Sequence, residues 1–217
     1  MAVNEKAYHQ IIQEFAHSAV TLVAVSKLKP ASDIEALYKL GQRDFGENYV
    51  QELVEKQAVL PSNINWHFIG HLQSNKVKYI APFVHLIHGV DSLKLLQEIN
   101  KQALKNNRVI DCLLQVHIAK EETKFGMDAS ELSDALEAAK HLPNVNIRGL
   151  MGMASFSDDQ EVVASEFKYL QELFTTHHFN VQPSAVLSMG MSADYAVAIK
   201  SGSTMVRIGS LLFGARN

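Results

Sequence analysis

Eight short apolar runs, separated by longer amphipathic stretches, predict a single parallel (β/α)8 barrel of the TIM type for this 217-residue chain. Three observations carry the prediction. Runs and helical patterns alternate, which is the order of a parallel sheet with helices on its faces. Several runs are apolar at every position, as strands covered on both sides must be. The count reaches eight, which favours a closed barrel over a doubly wound open sheet. The length also lies near the lower end for that architecture, roughly 200 residues and up.

The runs are Thr21 to Lys27, Asp44 to Asn48, Asn65 to Gly70, Leu86 to Asp91, Asp111 to Ile118, Ile147 to Ala154, Ala185 to Gly190 and Met205 to Ser210. A polar, helix-like segment about Asn4 to His17 precedes them. Ser32 and Asp33 read as a cap for Ile34 to Leu40, and Gly41 closes that helix. Tyr49 to Val59 runs up to Pro61. Ser92 caps Leu93 to Asn106, where Leu93, Leu96, Ile99 and Leu104 keep a helical period. Ser130 to Leu142 stops at Pro143. Asp158 to His177 sets Val162, Phe167, Leu170 and Phe174 on one face, and Ser192 to Lys200 ends at Gly202. Little sequence follows the eighth run, so the usual last helix is expected to be missing and the N-terminal helix to pack over that gap. No Pro/Gly/Ser-rich linker interrupts the pattern, and residues 1–217 read as one domain.

Composition narrows the function. Hydrophobic residues make up 47%, enough for a substantial core, and the formal net charge of −3 argues against a general nucleic-acid or membrane-surface binder. The lone Cys112 excludes an intramolecular disulfide and a thiolate metal cluster; in its apolar run it reads as a small core residue. No apolar stretch has signal-peptide or membrane-spanning character, and the expected location is the cytoplasm.

Catalytic and binding groups of such barrels stand at the carboxyl ends of the strands. Lys27 ends an apolar strand on the same side as Val23 and Val25. Facing the barrel interior, its amine would be desolvated, which favours the neutral form that attacks an aldehyde. Taken alone, the segment reads more ordinarily as a solvated lysine flanking a strand, and Lys29 is a second candidate of the same parity. The stretch Ser188 to Ser192 leads into a helix with Ser192 as its natural cap, and Gly209-Ser210 follows the last strand. Together these two turns suit a phosphate, since they follow strands seven and eight; each alone is an ordinary turn. Arg207 lies inside a buried strand, where a charge needs a partner: an internal salt bridge with Glu47 or Asp91, or a ligand in the mouth. The ten histidines show no His-Glu-x-x-His pattern, and no metal is expected. Met189 and Met191 read as core filling or as pocket lining.

Taken together, Ala24-Val-Ser-Lys27, Phe45 to Glu52, Trp66 to Gln73, Lys124 to Met127, Gly149 to Met153, Leu187 to Ser192 and Val206 to Ser210 closely resemble the pyridoxal phosphate homeostasis protein family, from about residue 20 onward. The resemblance implies the N-terminal barrel of alanine racemase, a fold-type III pyridoxal phosphate protein; the extra N-terminal helix is read from the sequence pattern before residue 20. The resemblance implies that Lys27 carries the cofactor as a Schiff base, that Ser192, Gly209 and Ser210 hold its phosphate, and that Arg207 lies near the pyridine nitrogen. It places Asn48 in the pocket and His67 near the ring or the mouth; from its own position in the sequence, Met189 is expected as a further cofactor-lining residue. The implied role is a non-catalytic carrier in intracellular vitamin B6 and amino-acid homeostasis. The resemblance also implies a monomer or weak dimer, with transient contact to apo pyridoxal phosphate enzymes. The alternative is a low-activity amino-acid racemase. A two-base racemase needs an acid/base group on each face of its substrate, and the racemase domain that supplies the second group is expected to be absent. A Schiff-base aldolase using Lys27 directly is a third, cofactor-free reading.

Overall fold

A computed structural model describes residues 3–16, 18–121 and 124–214. Strands β1 (Thr21–Val25), β2 (Asp44–Glu47), β3 (Asn65–Phe68), β4 (Leu86–Val90), β5 (Ile110–Gln115), β6 (Val145–Met151), β7 (Val186–Met191) and β8 (Met205–Ile208) pair in chain order. All pairs are parallel, and β8 returns to β1 to close the barrel. The helices are α1 (Glu5–Phe15), α2 (Ala31–Lys39), α3 (Val50–Val59), α4 (Val77–Ile80), α5 (Leu93–Lys105), α6 (Ala129–Ala139), α7 (Gln160–Thr176), α8 (Tyr195–Lys200) and α9 (Ser210–Phe213). The barrel and its extra N-terminal helix are therefore as the sequence predicts. The predicted end of α1 at His17 lies outside the described residues.

Strand alternation sorts the side chains into two layers. Outward, Leu22, Ala24, Phe45, Phe68, Ile87, Cys112, Leu114, Leu187 and Ile208 pack against helix residues such as Ile34, Leu53, Ile99 and Phe167 in one continuous core. Inward, the apolar filling is small: Val23, Leu86, Leu113, Met151 and Met205, with Met153 and Val186 alongside. Burial pushes the Cys112 thiol up, so it is an inert core group. A bulge in the β5–β6 pairing falls at Gly149, whose φ is +148°. A Cβ there would lie 2.0 Å from the Val186 carbonyl oxygen, so only glycine allows β6 to approach β7.

Local capping differs in detail from the sequence reading. Ser92 caps α5 as expected, accepting from the Leu95 N–H at 3.4 Å. Helix α2 starts earlier, after Pro30, without a side-chain cap, because proline pre-sets the backbone entry. Helix α6 begins after Asp128, which forms a reciprocal capping box with Glu131. Helix α4 was not predicted; at four residues it is too short for a period to register. Helix α1 covers the region where an eighth long helix would lie. Its cap residue Asn4 donates its N–H to Leu212 O (2.8 Å), Tyr195 OH donates to Glu14 (3.2 Å), and Phe15 packs edge-on against Tyr195.

Candidate functional site

The carboxyl ends of the strands meet at one mouth. Past Val25, the ladder continues one step as Ser26 N–H donates to Gly46 O at 3.0 Å. Lys27 then stands half-buried in a turn whose next residue, Leu28, takes a left-handed φ of 62°. The turn is anchored on both sides of Lys27. Ser26 Oγ donates to Glu47 Oε1 (2.6 Å), and the Leu28 N–H donates to Glu52 Oε1 (2.6 Å). From α3, Lys56 Nζ reaches Ser26 O (2.8 Å), Glu47 Oε1 (2.7 Å) and Glu52 Oε1 (2.6 Å). Burial pushes the Glu47 carboxyl up to about 7, against the pull of Lys56 and Ser26. Lys29, the competing lysine, is engaged elsewhere: its Nζ donates to Phe213 O at 2.8 Å.

Next to β1, the turns after β7 and β8 touch each other. Gly209 N–H donates to Ser192 Oγ at 3.3 Å, and a Cβ on Gly209 would sit 3.2 Å from Val25 O. Ser192 is not the cap of α8. That place falls to Asp194, whose carboxylate accepts from Met191 N–H at 2.5 Å, and this frees the Ser192 hydroxyl to face Gly209. Ser210 is exposed at the start of α9. After β2, Asn48 Oδ1 is buried and has no hydrogen-bond partner among the described residues. A buried acceptor left open is costly in a finished protein, so it fits a place where a ligand supplies the donor.

Arg207 is buried inside the barrel on β8. It donates to Ser188 Oγ (2.6 Å) and Gly152 O (3.1 Å), and none of the ion pairs among the described residues includes it. Of the two salt-bridge partners considered from sequence, Glu47 pairs with Lys56 and Asp91 with His71. Burial lowers the guanidinium to about 10 while Asp194 pulls it up, so it remains a cation at neutral pH.

A file of polar side chains runs from Arg207 down through the barrel to its other mouth. Ser188 Oγ lies 3.1 Å from His88 Nδ1, His88 Nε2 lies 2.9 Å from His67 Nδ1, and His67 Nε2 lies 3.0 Å from Asp44 Oδ1. One proton arrangement satisfies every contact. Arg207 donates to Ser188, Ser188 to His88, His88 to His67 and His67 to Asp44. Burial, with His67, Arg207 and His85 nearby, holds His88 well below the ordinary imidazole range, so it is neutral. Burial alone would raise Asp44, but His67, Asn65 and His85 outweigh it and hold the carboxyl down. The file opens on a cavity of about 310 Å³ at the amino ends of the strands, lined by Asp44, His67, His85, Asp111, Arg148 and Met205 among others.

The sequence matches the family described as "Alanine racemase, N-terminal domain" over residues 6–217. A pyridoxal phosphate homeostasis protein of Aquifex aeolicus is 44% identical over 198 residues, covering 90% of this chain and 86% of that protein. The chain belongs to the pyridoxal phosphate homeostasis protein family. A homeostasis protein of Escherichia coli is 38% identical over 211 residues, 91% of this chain and 86% of that one. The solved structure of PipY from Synechococcus elongatus with pyridoxal phosphate bound shares 34% identity at a TM-score of 0.85, covering 96% of this chain and 100% of that one. An alanine racemase of Clostridium difficile, at 14% identity and a TM-score of 0.78, shares the fold over 59% of its length.

In this member of the pyridoxal phosphate homeostasis family, the residues singled out from sequence separate into groups. Lys27, Asn48, Ser192, Gly209 and Ser210 gather at the carboxyl mouth, with Arg207 beneath it. Two others lie elsewhere. Met189 is fully buried in the outer core with Ala198 and Val206, because alternation turns it away from its inward neighbour Ser188. His67 belongs to the polar file and lines the cavity at the opposite mouth. Sequence reasoning missed Asp44, His88 and the Lys56 network. The available signal was polar residues at inward parity in strands whose other inward residues are apolar, as in Leu86-x-His88.

Proposed function

We propose that this chain, acting as one barrel domain over residues 1–217, carries pyridoxal phosphate as a Schiff base on Lys27 and serves vitamin B6 and amino-acid homeostasis without catalysing a reaction of its own. The observation that carries the reading is the convergence, at one mouth, of an anchored lysine, a buried unpaired acceptor and two touching turns above a buried arginine. The pyridoxal phosphate in the PipY structure supports it.

When bound, pyridoxal phosphate supplies an aldehyde that condenses with amines and a ring that withdraws electrons. Lys27 would hold the aldehyde through its side-chain nitrogen. Ser192 Oγ, the Gly209 backbone and Ser210 would hold the phosphate, and Asn48 Oδ1 would accept from the cofactor. Arg207, cationic beneath the mouth, would keep a neighbouring pyridine nitrogen unprotonated, because two adjacent positive charges repel. That weakens the ring for carbanion chemistry and favours a carrier. The reading assigns no cofactor contact to Met189 or His67.

The tyrosines available for a second racemase base are poorly placed for it. Tyr195 is hydrogen-bonded to Glu14, and Tyr49 is more than half exposed at the start of α3. Around the same mouth, Leu28, Tyr49, Phe125, Phe156, Met191 and Leu211 expose apolar surface at or beyond the carboxyl ends of six different strands. Such a rim suits brief docking of apo-enzymes that receive the cofactor. No described helix is long and apolar enough to cross a membrane, and we place the protein in the cytoplasm on its single cysteine.

Borohydride reduction of the cofactor-loaded protein followed by peptide mapping tests the central assignment. The reduced label is expected on Lys27, and Lys27→Ala should remain folded and unlabelled. Label on Lys29, or retention in the variant, overturns the reading. Exchange of an amino-acid α-proton with solvent above the rate with free cofactor would favour the racemase.

A further inference from the structure

We propose that the amino-end mouth of the barrel is a binding site for a divalent cation of the zinc class, held by Asp44, His67 and His85. This site lies at the opposite end from the proposed cofactor and does not depend on it.

The three side chains come from the starts of adjacent strands. Asp44 opens β2, His67 lies on β3 and His85 directly precedes β4. Their ligand atoms all lie within 4.8 Å of one another. Ligand atoms in a tetrahedral zinc site with bonds of about 2.0–2.1 Å stand about 3.3 Å apart. The His67–Asp44 separation of 3.0 Å already approaches that edge, so closure requires chiefly a swing of the exposed His85 side chain. Two imidazoles and one carboxylate select a borderline cation such as zinc, cobalt or nickel over calcium or magnesium, which prefer oxygen.

The surroundings supply what a working site needs. Asn65 Nδ2 holds Asp44 Oδ1 at 3.1 Å, and His88 Nε2 holds His67 Nδ1 at 2.9 Å, so both inner ligands are oriented from behind. The cavity leaves room on the open side for water or a further ligand. Its charge favours a cation over an anion. Arg148 is already committed to Asp111 Oδ2 (2.7 Å) and Ser184 O (2.6 Å), which leaves Asp44 as the uncompensated charge beside the histidines. Binding through His67 Nε2 requires the ring proton on Nδ1. His88 Nε2 then accepts it, His88 Nδ1 donates to Ser188, and the hydroxyl's two lone pairs take both His88 and Arg207. The file can therefore reverse, with the Ser188 hydroxyl proton the one group in it that has to turn to a new acceptor.

The test is titration of the chelator-stripped full chain with Co²⁺, read by its visible absorption, followed by displacement with Zn²⁺. One saturating equivalent is expected. His85→Ala and Asp44→Asn should each weaken it about tenfold or more, whereas His9→Ala, at an exposed histidine on α1 outside the cavity lining, should not. Circular dichroism confirms folding, and His85→Ala, altering only an exposed side chain, decides if Asp44→Asn fails to fold. No saturable equivalent, or one that survives His85→Ala unchanged, overturns the proposal.

Discussion

Glu47→Gln isolates the cost of hiding a carboxyl behind the Lys27 turn. The Glu47 side chain is fully buried, and burial raises its pKa from 4.5 to about 7 although Lys56 and Ser26 both bond it. Because the folded value is the higher one, the folded state binds more protons than the unfolded state between those two values. The carboxyl's contribution to stability is complete below pH 4.5 and is lost as pH rises through 7. A rise of that size corresponds to about 3 kcal/mol, or about 1.4 kcal/mol per pH unit within the window. Glutamine keeps a carbonyl oxygen for Lys56 and Ser26 but does not titrate. Relative to the variant, the parent chain should therefore lose about 3 kcal/mol between pH 4.5 and 8. Urea unfolding followed through the single, buried Trp66 measures both chains at each pH. A difference that stays constant from pH 5 to 8 would refute the reasoning, since it would mean the carboxylate is ionised throughout and that pairing with Lys56 outweighs burial.

Other substitutions probe separate parts of the molecule. Arg207→Ala removes the cation hydrogen-bonded to Ser188 and Gly152 O, and should release bound pyridoxal phosphate about tenfold faster; an unchanged dissociation rate would make the arginine purely structural. Gly149→Ala puts a Cβ 2.0 Å from Val186 O at a φ of +148° and should lower the unfolding free energy by about 3 kcal/mol or more, seen as an earlier urea midpoint. An unmoved midpoint would show that the bulge can relax.

The barrel was legible because both-face burial writes several strands as apolar runs, such as Leu22 to Val25 and Cys112 to Leu114. Lys27 and Arg207 stood out for the same reason, as charges set in greasy strands. The Asp44–His67–His88 contacts were not legible, since each joins residues at least 21 positions apart, and a strand's pairing register is needed to bring them level. The Lys56 network was hidden differently: on α3 its lysine looks like any solvated helix residue, and only the packing of α3 on β2 buries it. Ser192 was misread as a helix cap because Asp194, two residues on, takes that place.

The two layers of the barrel divide labour concentrically. Cohesion resides in the outer shell, where helices grip strands, while the axis holds little hydrocarbon and a string of exchangeable polar groups. Drift along the axis thus alters chemistry at either mouth without unseating the scaffold. Variation in the shell instead threatens folding before it reaches chemistry, so new activities in this lineage should arise from inward-facing positions.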